Sequence, residues 1–187
     1  MAQALGELEK SARNCYKSRV LGPDEFRRVL GHFATGVTVV TAWDTEGRPT
    51  GLTASAVSSV SLDPALVLVC VDHKAQSYPA LQAGGRFAIN ILASDQESVA
   101  RRFASSSLSG AEKFEGVGYR QGPLGLPILK DALAELECVT VHAYPGGDHT
   151  IFVGRVEAAE WRGDTGREPL VYYRGQFSRL HGSGGIA

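Results

Sequence analysis

Residues 51–61 carry the side chains best suited to contact a ligand. Most of them are small, and several bear a hydroxyl, among them Thr53, Ser55 and Ser59. Small side chains let backbone N–H groups approach a planar ring, and hydroxyls can hydrogen-bond to phosphate or ring carbonyl oxygens. A Ser-rich connection with no function has the same composition, because serine is common in loops. Composition alone leaves both interpretations open.

Three other positions offer polar chemistry, and each has a structural alternative. Arg102, beside Arg101, could neutralise a phosphate or simply complement the dipole at the end of a helix. His149 follows Asp148 and two glycines, where its imidazole could hydrogen-bond to an amide or lie on a surface turn. Residues 172–175 combine two tyrosine rings with an arginine and a glycine, although an ordinary strand end has the same composition.

Several familiar motifs are missing from the sequence. It has no G-x-S-x-G elbow, which argues against a serine hydrolase. It has neither a G-x-G-x-x-G turn nor a G-x-x-x-x-G-K-[ST] loop, so a bound nucleotide must be held in some other way. Cys15, Cys70 and Cys138 lack the spacing of a zinc site, and we expect no metal. Unpaired cysteines are typical of the reducing cytoplasm.

Length and charge narrow the class of protein further. A chain of 187 residues with 43% hydrophobic residues suits one domain with a sizeable core. A formal net charge of −1 without a basic run argues against a nucleic-acid-binding protein. The first twenty residues lack the apolar core of a signal peptide, and no apolar run has the length of a membrane helix. We therefore expect a soluble cytoplasmic protein.

The elements that must position these residues are mostly strands. An amphipathic helix is predicted from Pro23 to a stop at Gly36. A short helix is predicted over 77–83, and a third helix is opened by a Ser94/Glu97 capping box. Residues 105–130 lack periodicity and are predicted to form a long loop. The predicted strands are 37–42, 65–71, 87–92, 132–144, 150–161 and 170–173.

This order of elements predicts a mainly β fold with peripheral α-helices. Few helices alternate with strands, which disfavours a doubly wound sheet and favours an antiparallel barrel. We expect residues 22–181 to form this domain, after an N-terminal extension over 1–21 and before a flexible tail over 182–187.

Five segments, in this order along the chain, resemble the flavin reductase-like family of FMN-binding split barrels. The resemblance runs from Phe26 to about Leu180. Members of this family are the reductase components of two-component flavin monooxygenases. The segments are FRRVLGHFATGVTVVT from residue 26, GLTASAVSSVSLDP from residue 51, RFAINIL from residue 86, GDH from residue 147 and YYRG from residue 172.

The resemblance implies a fold, an activity and partners. The fold would be a Greek-key, split β-barrel with few helices. The activity would be that of an NAD(P)H:flavin oxidoreductase that reduces free FMN or FAD and supplies the reduced flavin to a partner monooxygenase. NADH is the expected donor, NADPH stays open, and a homodimer is expected.

The resemblance also implies individual site residues. His149 would lie against the nicotinamide as the residue closest to the chemistry. Ser77 and Arg102 would hold the flavin phosphate. The flavin would contact Thr53, Ala54, Ser55, Ala56, Ser59, Cys70, Val71, Asp72 and Asn90. The nicotinamide nucleotide would contact Tyr172, Tyr173, Arg174 and Gly175.

Two other functions fit the same residues. A pyridoxamine-phosphate oxidase-like enzyme would hold its flavin tightly and would lack the Gly-Asp-His segment. A flavin-binding module without catalytic activity would keep residues 53–61 but would not oxidise NADH.

Overall fold

The computed structural model describes residues 21–163 and 166–180. The chain divides into two compact units, residues 1–33 and 34–187. Most of the predicted N-terminal extension, with Cys15, and the whole predicted tail lie outside the described residues. None of the helices in the described ranges is both long and apolar enough to cross a membrane.

The first unit contributes helix α1 (Pro23–Leu30) to the described residues. Proline suits the first turn of a helix because its missing N–H has no partner there in any case. The predicted end at Gly36 is wrong, because the helix ends at Leu30 and is capped by the N–H of Gly31. Gly36 instead lies in a short strand of the second unit.

The second unit is mostly β-structure. Its strands are β1 (Thr35–Gly36), β2 (Thr38–Trp43), β3 (Pro49–Ala54), β4 (Val57–Leu62), β5 (Ala65–Asp72), β6 (Arg86–Ile91), β7 (Tyr119–Gln121), β8 (Pro127–Leu129), β9 (Ala134–Gly146), β10 (His149–Trp161), β11 (Val171–Tyr173) and β12 (Gln176–Ser178). Its helices are α2 (Tyr78–Gly84), α3 (Glu97–Ala104) and a 3₁₀ turn (Glu112–Phe114).

Seven antiparallel strands form the main sheet, in the order β3-β2-β6-β9-β10-β5-β4. The two edge strands, β3 and β4, follow each other in the chain and are joined only by Ser55 and Ala56. Such a link spans at most about 11 Å between Ala54 and Val57. The sheet must therefore curl until its edges approach each other, and the predicted mainly β, split-barrel fold class is confirmed.

The concave side of the sheet is filled with apolar side chains. Val40, Val69, Phe87 and Phe152 are at most 1% exposed and come from four different strands. On β10, a Cβ at Gly154 would lie 2.6 Å from the Phe87 ring and 2.8 Å from the Cβ of Cys138. Close packing of these side chains leaves no space for a ligand between them.

Helix α3 packs on the other side of the sheet through Ala100 and Phe103, next to Phe114 of the 3₁₀ turn. Lys113 is buried beside them, and its Nζ donates to the carbonyl of Phe103 at 3.1 Å. Burial lowers the pKa of this ammonium group. The bond satisfies a carbonyl at the end of α3, where a helix leaves its acceptors unpaired.

Two sequence predictions about this region were wrong. Helix α3 begins at Glu97 with Gln96 as its cap, so Ser94 forms no capping box. The Gln96 side chain accepts from the Ala93 N–H at 3.0 Å, and this contact fixes the turn before the helix. The predicted loop over 105–130 contains the 3₁₀ turn and the β7–β8 hairpin.

Candidate active site

A cavity of about 510 Å³ opens beside the link between the two edge strands; we call it the Thr53 cavity. Its volume lies within the range of small-molecule sites, about 300–1,000 Å³. Strand β3, helix α3 and the β11–β12 hairpin bring together residues that lie far apart in the sequence. The lining residues are Val37, Thr53, Ser55, Arg101, Ala104, Ser105, Tyr172, Gly175, Gln176 and Phe177.

Strand β3 carries Thr53 to the cavity. The Thr53 hydroxyl donates to the carbonyl of Ala100 at 2.6 Å, which ties the strand end to α3. Ser55 and Ala56 follow outside any strand and are exposed. The neighbouring Ala54 has its side chain in the barrel interior, and its carbonyl accepts from Thr38 at 2.8 Å. A predicted contact of Ala54 with a ligand therefore rests on its backbone.

The β11–β12 hairpin forms the opposite wall. Arg174 and Gly175 have φ values of 51° and 79°, as expected for the two central residues of a type I′ turn. This turn folds Phe177 back against Tyr172, with ring centroids 5.4 Å apart. Tyr172 and Gly175 line the cavity, and Tyr173 pairs with Gln176 next to the turn. Strand β12 was not predicted from the sequence.

The two arginines of α3 have different surroundings. Arg102, the predicted phosphate ligand, lies outside the Thr53 cavity, and its Nε donates to the carbonyl of Lys113 at 2.9 Å. A second nitrogen of its guanidinium donates to the carbonyl of Glu112. Adjacent residues of a helix point about 100° apart, so Arg101 faces the cavity instead. The role of Arg102 as a phosphate ligand stays a prediction, because Arg102 does not line this cavity.

His149 begins β10 directly opposite Asp72, the last residue of β5. Its Nδ1 lies 2.7 Å from a carboxylate oxygen of Asp148. A carboxylate only accepts, so Nδ1 carries the proton, and this hydrogen bond holds the pKa of Asp148 below its usual value. The Cys70 N–H donates to the carbonyl of Ala56 at 3.0 Å, which joins this strand end to the link between the edge strands.

Three predicted site residues have buried side chains. Val71 lies in the barrel interior, and Ser77 is fully buried, with no hydrogen-bond partner for its hydroxyl among the described residues. Asn90 is fully buried; its amide donates to Val39 and accepts from the Leu129 N–H at 2.8 Å. These bonds make Asn90 a structural link between strands.

The remaining predicted residue, Ser59, lies on the edge strand β4. It is exposed and does not line the Thr53 cavity. Conversely, the structure adds Arg101, Gln176 and Phe177 to the set that the sequence suggested. A two-residue Arg-Gly turn after two tyrosines was the signal that could have revealed the hairpin and hence Phe177.

The lining of the cavity suits an aromatic ligand with an anionic group. Tyr172 and Phe177 supply aromatic faces, Thr53 and Ser55 supply hydroxyls, and Arg101 supplies a positive charge. This donor set fits a flavin nucleotide, whose planar ring and phosphate need these two kinds of contact. Within residues 21–163 and 166–180, no group of three or more His, Cys, Asp or Glu residues is placed to hold a metal ion.

Comparison with known proteins agrees with a site for a flavin nucleotide. The model of the flavin reductase like domain matches residues 30–181. The reductase component of a 4-nitrophenol 4-monooxygenase/4-nitrocatechol 2-monooxygenase from Rhodococcus opacus is 46% identical over 88% of this chain and 86% of that protein. The reductase subunit HsaB of a flavin-dependent monooxygenase from Rhodococcus jostii is 38% identical over 87% of this chain and 80% of its own.

Among solved structures, the NADH:FAD oxidoreductase SgcE6 from Streptomyces globisporus, in complex with NAD and FAD fragments, superposes with a TM-score of 0.80. It is 38% identical, and the match covers 90% of this chain and 100% of that one. Sequence, fold and lining residues thus agree, and the chain belongs to the flavin reductase-like family.

Proposed function

We propose that this chain transfers hydride from NADH to exchangeable FMN or FAD and supplies the reduced flavin to a partner monooxygenase. One observation carries the proposal: the Thr53 cavity and the His149 strand end flank the same two-residue link. The carbonyl of Ala56, within this link, accepts a hydrogen bond from the N–H of Cys70 on β5. Asp72, which pairs with His149, lies about 7 Å beyond Cys70 along the same strand. The two segments that we propose to bind the rings therefore lie at the same end of the gap between the edge strands β3 and β4, which we call the seam. The relatives named above support the activity.

The chain needs to hold two rings in contact, because the flavin itself, when bound, supplies the hydride-accepting chemistry. Thr53 and Ser55 are placed to hydrogen-bond to the polar edge of a flavin ring, and their small side chains leave one ring face uncovered. The aromatic residues Tyr172 and Phe177 line the same cavity and are placed to exclude water from the bound ring. Holding the reactants in this way lowers the entropic part of the barrier.

His149 positions the nicotinamide and does not act as a general base. Its Nδ1 proton is held by Asp148, so in the neutral ring Nε2 is the atom that accepts from a carboxamide N–H. Hydride transfer between two rings requires no proton from this residue. A positioning role therefore accounts for both the partner and the place of His149.

We further propose that the protein acts in the cytoplasm as a homodimer. Cys70 and Cys138 are both unpaired thiols, which suits a reducing compartment. On the edge strand β4, Val60 is 50% exposed and Leu62 is 95% exposed. A second copy could cover this apolar edge and prevent uncontrolled strand pairing.

Oxidation of NADH and NADPH by the purified protein, followed at 340 nm with FMN, with FAD and without flavin, tests the proposed activity. We expect steady oxidation only when flavin is added, and a faster reaction with NADH. Oxidation without added flavin, together with a flavin that co-purifies, would instead favour the oxidase-like alternative. A protein that binds flavin but oxidises neither nucleotide would favour the non-catalytic module.

The role of His149 can be tested by His149→Ala. Loss of one hydrogen bond predicts a rise of about 2- to 10-fold in the KM for NADH, with the Kd of the flavin unchanged. His142→Ala is the matched control, because His142 lies on the neighbouring strand β9, where it stacks on Tyr144. A selective loss of flavin binding in His149→Ala would refute the positioning role.

A further inference from the structure

His73 contacts both sequence neighbours of His149. Its backbone N–H donates to the carbonyl of Asp148 at 3.1 Å, and its Nε2 lies 3.1 Å from the hydroxyl oxygen of Thr150. We propose that His73 is a positioning residue that fixes His149 in the place where it meets the nicotinamide. The inference deepens the proposed function and rests on it, because hydride transfer requires the two rings to be held in one geometry.

The tip of the β9–β10 hairpin, which carries His149, extends beyond part of the sheet. Strand β6 pairs with β9 only over Ala134–Val139. Residues 142–148 are exposed, and Gly147 turns the chain with a φ of 75°. Strand β5 supports the other side of the hairpin as far as Asp72, and the contacts of His73 continue that support by one residue.

The segment that carries His73 is itself held in a tight turn. A side-chain oxygen of Asp72 accepts from the Lys74 N–H at 2.8 Å, and the Asp72 carbonyl accepts from the Ala75 N–H at 3.0 Å. Hydrogen bonds of this kind replace ladder bonds where a strand ends. The His73 imidazole therefore starts from a fixed backbone and can fix the residues it contacts.

The hydroxyl of Thr150 connects His73 to the barrel interior. Thr150 is only 9% exposed, and the Tyr78 hydroxyl lies 3.0 Å from its hydroxyl oxygen. One hydroxyl can donate and accept at once, so Thr150 can bond to both rings. The Tyr78 ring lies 6.1 Å from that of Phe152, which is buried in the core. This chain of contacts anchors the start of β10.

The same contacts determine the direction of the His149 imidazole. Asp148, whose carbonyl accepts from His73, also holds Nδ1 of His149 through its carboxylate. Thr150 fixes the backbone on the other side of His149. His73 itself is exposed, so its imidazole does not fill the core. Its removal should displace His149 without unfolding the barrel.

A double-mutant cycle with His149 separates positioning from a general structural role. The variants are His73→Ala, which keeps the backbone N–H, His73→Gln, whose amide can still bond to Thr150, His149→Ala and the double variant. His142→Ala is the matched control, because its ring stacks on Tyr144 instead. Circular dichroism confirms that each variant is folded.

Three quantities are measured for each variant. They are the KM for NADH with saturating flavin, the Kd of FMN from fluorescence quenching, and hydrogen–deuterium exchange of the peptide over 147–151. The last two need no turnover. Exchange reports directly on how firmly the start of β10 is held in the free protein.

We expect His73→Ala to raise the KM for NADH about 2- to 10-fold, as for the loss of one hydrogen bond, and to leave the Kd of FMN unchanged. Exchange over 147–151 should become faster by about the same factor. His73→Gln should restore most of both losses, and His142→Ala should cause neither. In the His149→Ala background, His73→Ala should raise the KM no further, because the residue through which it acts is gone.

Fully additive effects of His73→Ala and His149→Ala on the KM would overturn the inference. So would faster exchange with an unchanged KM, or a rise in the Kd of FMN as large as the rise in the KM. A wild-type protein that failed to oxidise NADH in the presence of flavin would instead refute the proposed function itself.

Discussion

The barrel interior and the open seam are built from opposite kinds of residue. In the interior, large apolar side chains such as Phe87 and Phe152 are almost completely buried, and Gly154 is present because nothing larger fits. At the seam, Ser55 and Ala56 are small and exposed. The interior therefore determines the stability of the fold, whereas the seam is available for ligands. Substitutions in the interior should change the free energy of unfolding, whereas substitutions at the seam should change ligand binding.

The largest effect on stability is expected from Gly154→Ala in the interior. The added Cβ would lie 2.6 Å from the Phe87 ring and 2.8 Å from Cys138, so the core must shift. Overpacking of this kind predicts a loss of about 1–3 kcal/mol in the free energy of unfolding, measurable by urea denaturation. Gly36→Ala is the control, because a Cβ there would have no neighbour within 4 Å. Equal losses in both variants would show that packing against Phe87 and Cys138 is not responsible, because the lower backbone entropy of the unfolded chain should by itself stabilise both variants.

A smaller, pH-dependent effect is expected from Cys138 in the same interior. Burial, with help from Glu137 and Glu157, raises the pKa of this thiol from 9.0 to about 12. Above pH 9 the unfolded chain loses the proton while the folded chain keeps it, so stability falls as pH rises. Linkage predicts that this thiol alone costs about 1 kcal/mol between pH 9 and pH 10. Below pH 9 both states are protonated and the contribution disappears.

Cys138→Ala should reduce the fall in stability between pH 9 and pH 10 by about that amount, since an alanine has no proton to release. Its stability at pH 7 is expected to be lower than that of the wild type, because the substitution leaves a small cavity. Denaturation at pH 7, 9 and 10 measures both effects. An identical pH dependence in the variant and the wild type would contradict the prediction.

The smallest effect on stability is expected at the seam, from Ser55→Ala. An exposed serine outside the strands should change the free energy of unfolding by less than about 0.5 kcal/mol. Loss of one hydrogen bond to the ligand should nevertheless raise the Kd of FMN about 2- to 10-fold. Ser58→Ala is the matched control, because Ser58 is exposed on β4 outside the Thr53 cavity. If the two variants bound FMN equally well, Ser55 would have no part in the site.

Length alone did not decide which strands could be predicted from the sequence, because the three-residue strand β11 was predicted whereas the six-residue strands β3 and β4 were not. Strands β5 and β10 carry extended β-branched or apolar runs, which are typical of buried strands. Strands β7, β8 and β12 have only three residues each, too few for any periodicity to show. Their pairing depends on tertiary contacts, and the predicted loop over 105–130 failed for this reason.

Only part of the lining of the Thr53 cavity could be predicted from the sequence. The Gly-Asp-His and Tyr-Tyr-Arg-Gly segments could be recognised locally. In the structure, His149 pairs with Asp72, and Tyr172 lines the Thr53 cavity. Which of the two arginines, Arg101 or Arg102, lines the cavity could not be predicted locally, because Phe177, which Arg101 contacts, lies more than seventy residues further along the chain. The burial of Asn90 likewise follows from strand order, which no single segment encodes.

The two-residue link between β3 and β4 also determines how the barrel can move. Ala54 and Val57 can be at most about 11 Å apart, because only Ser55 and Ala56 join them. The covalent link limits the separation of the two strands at this end, whereas no such link limits it at the other end, near Pro49 and Leu62. A ligand bound beside Ser55 therefore lies where the distance between the two edge strands can change least.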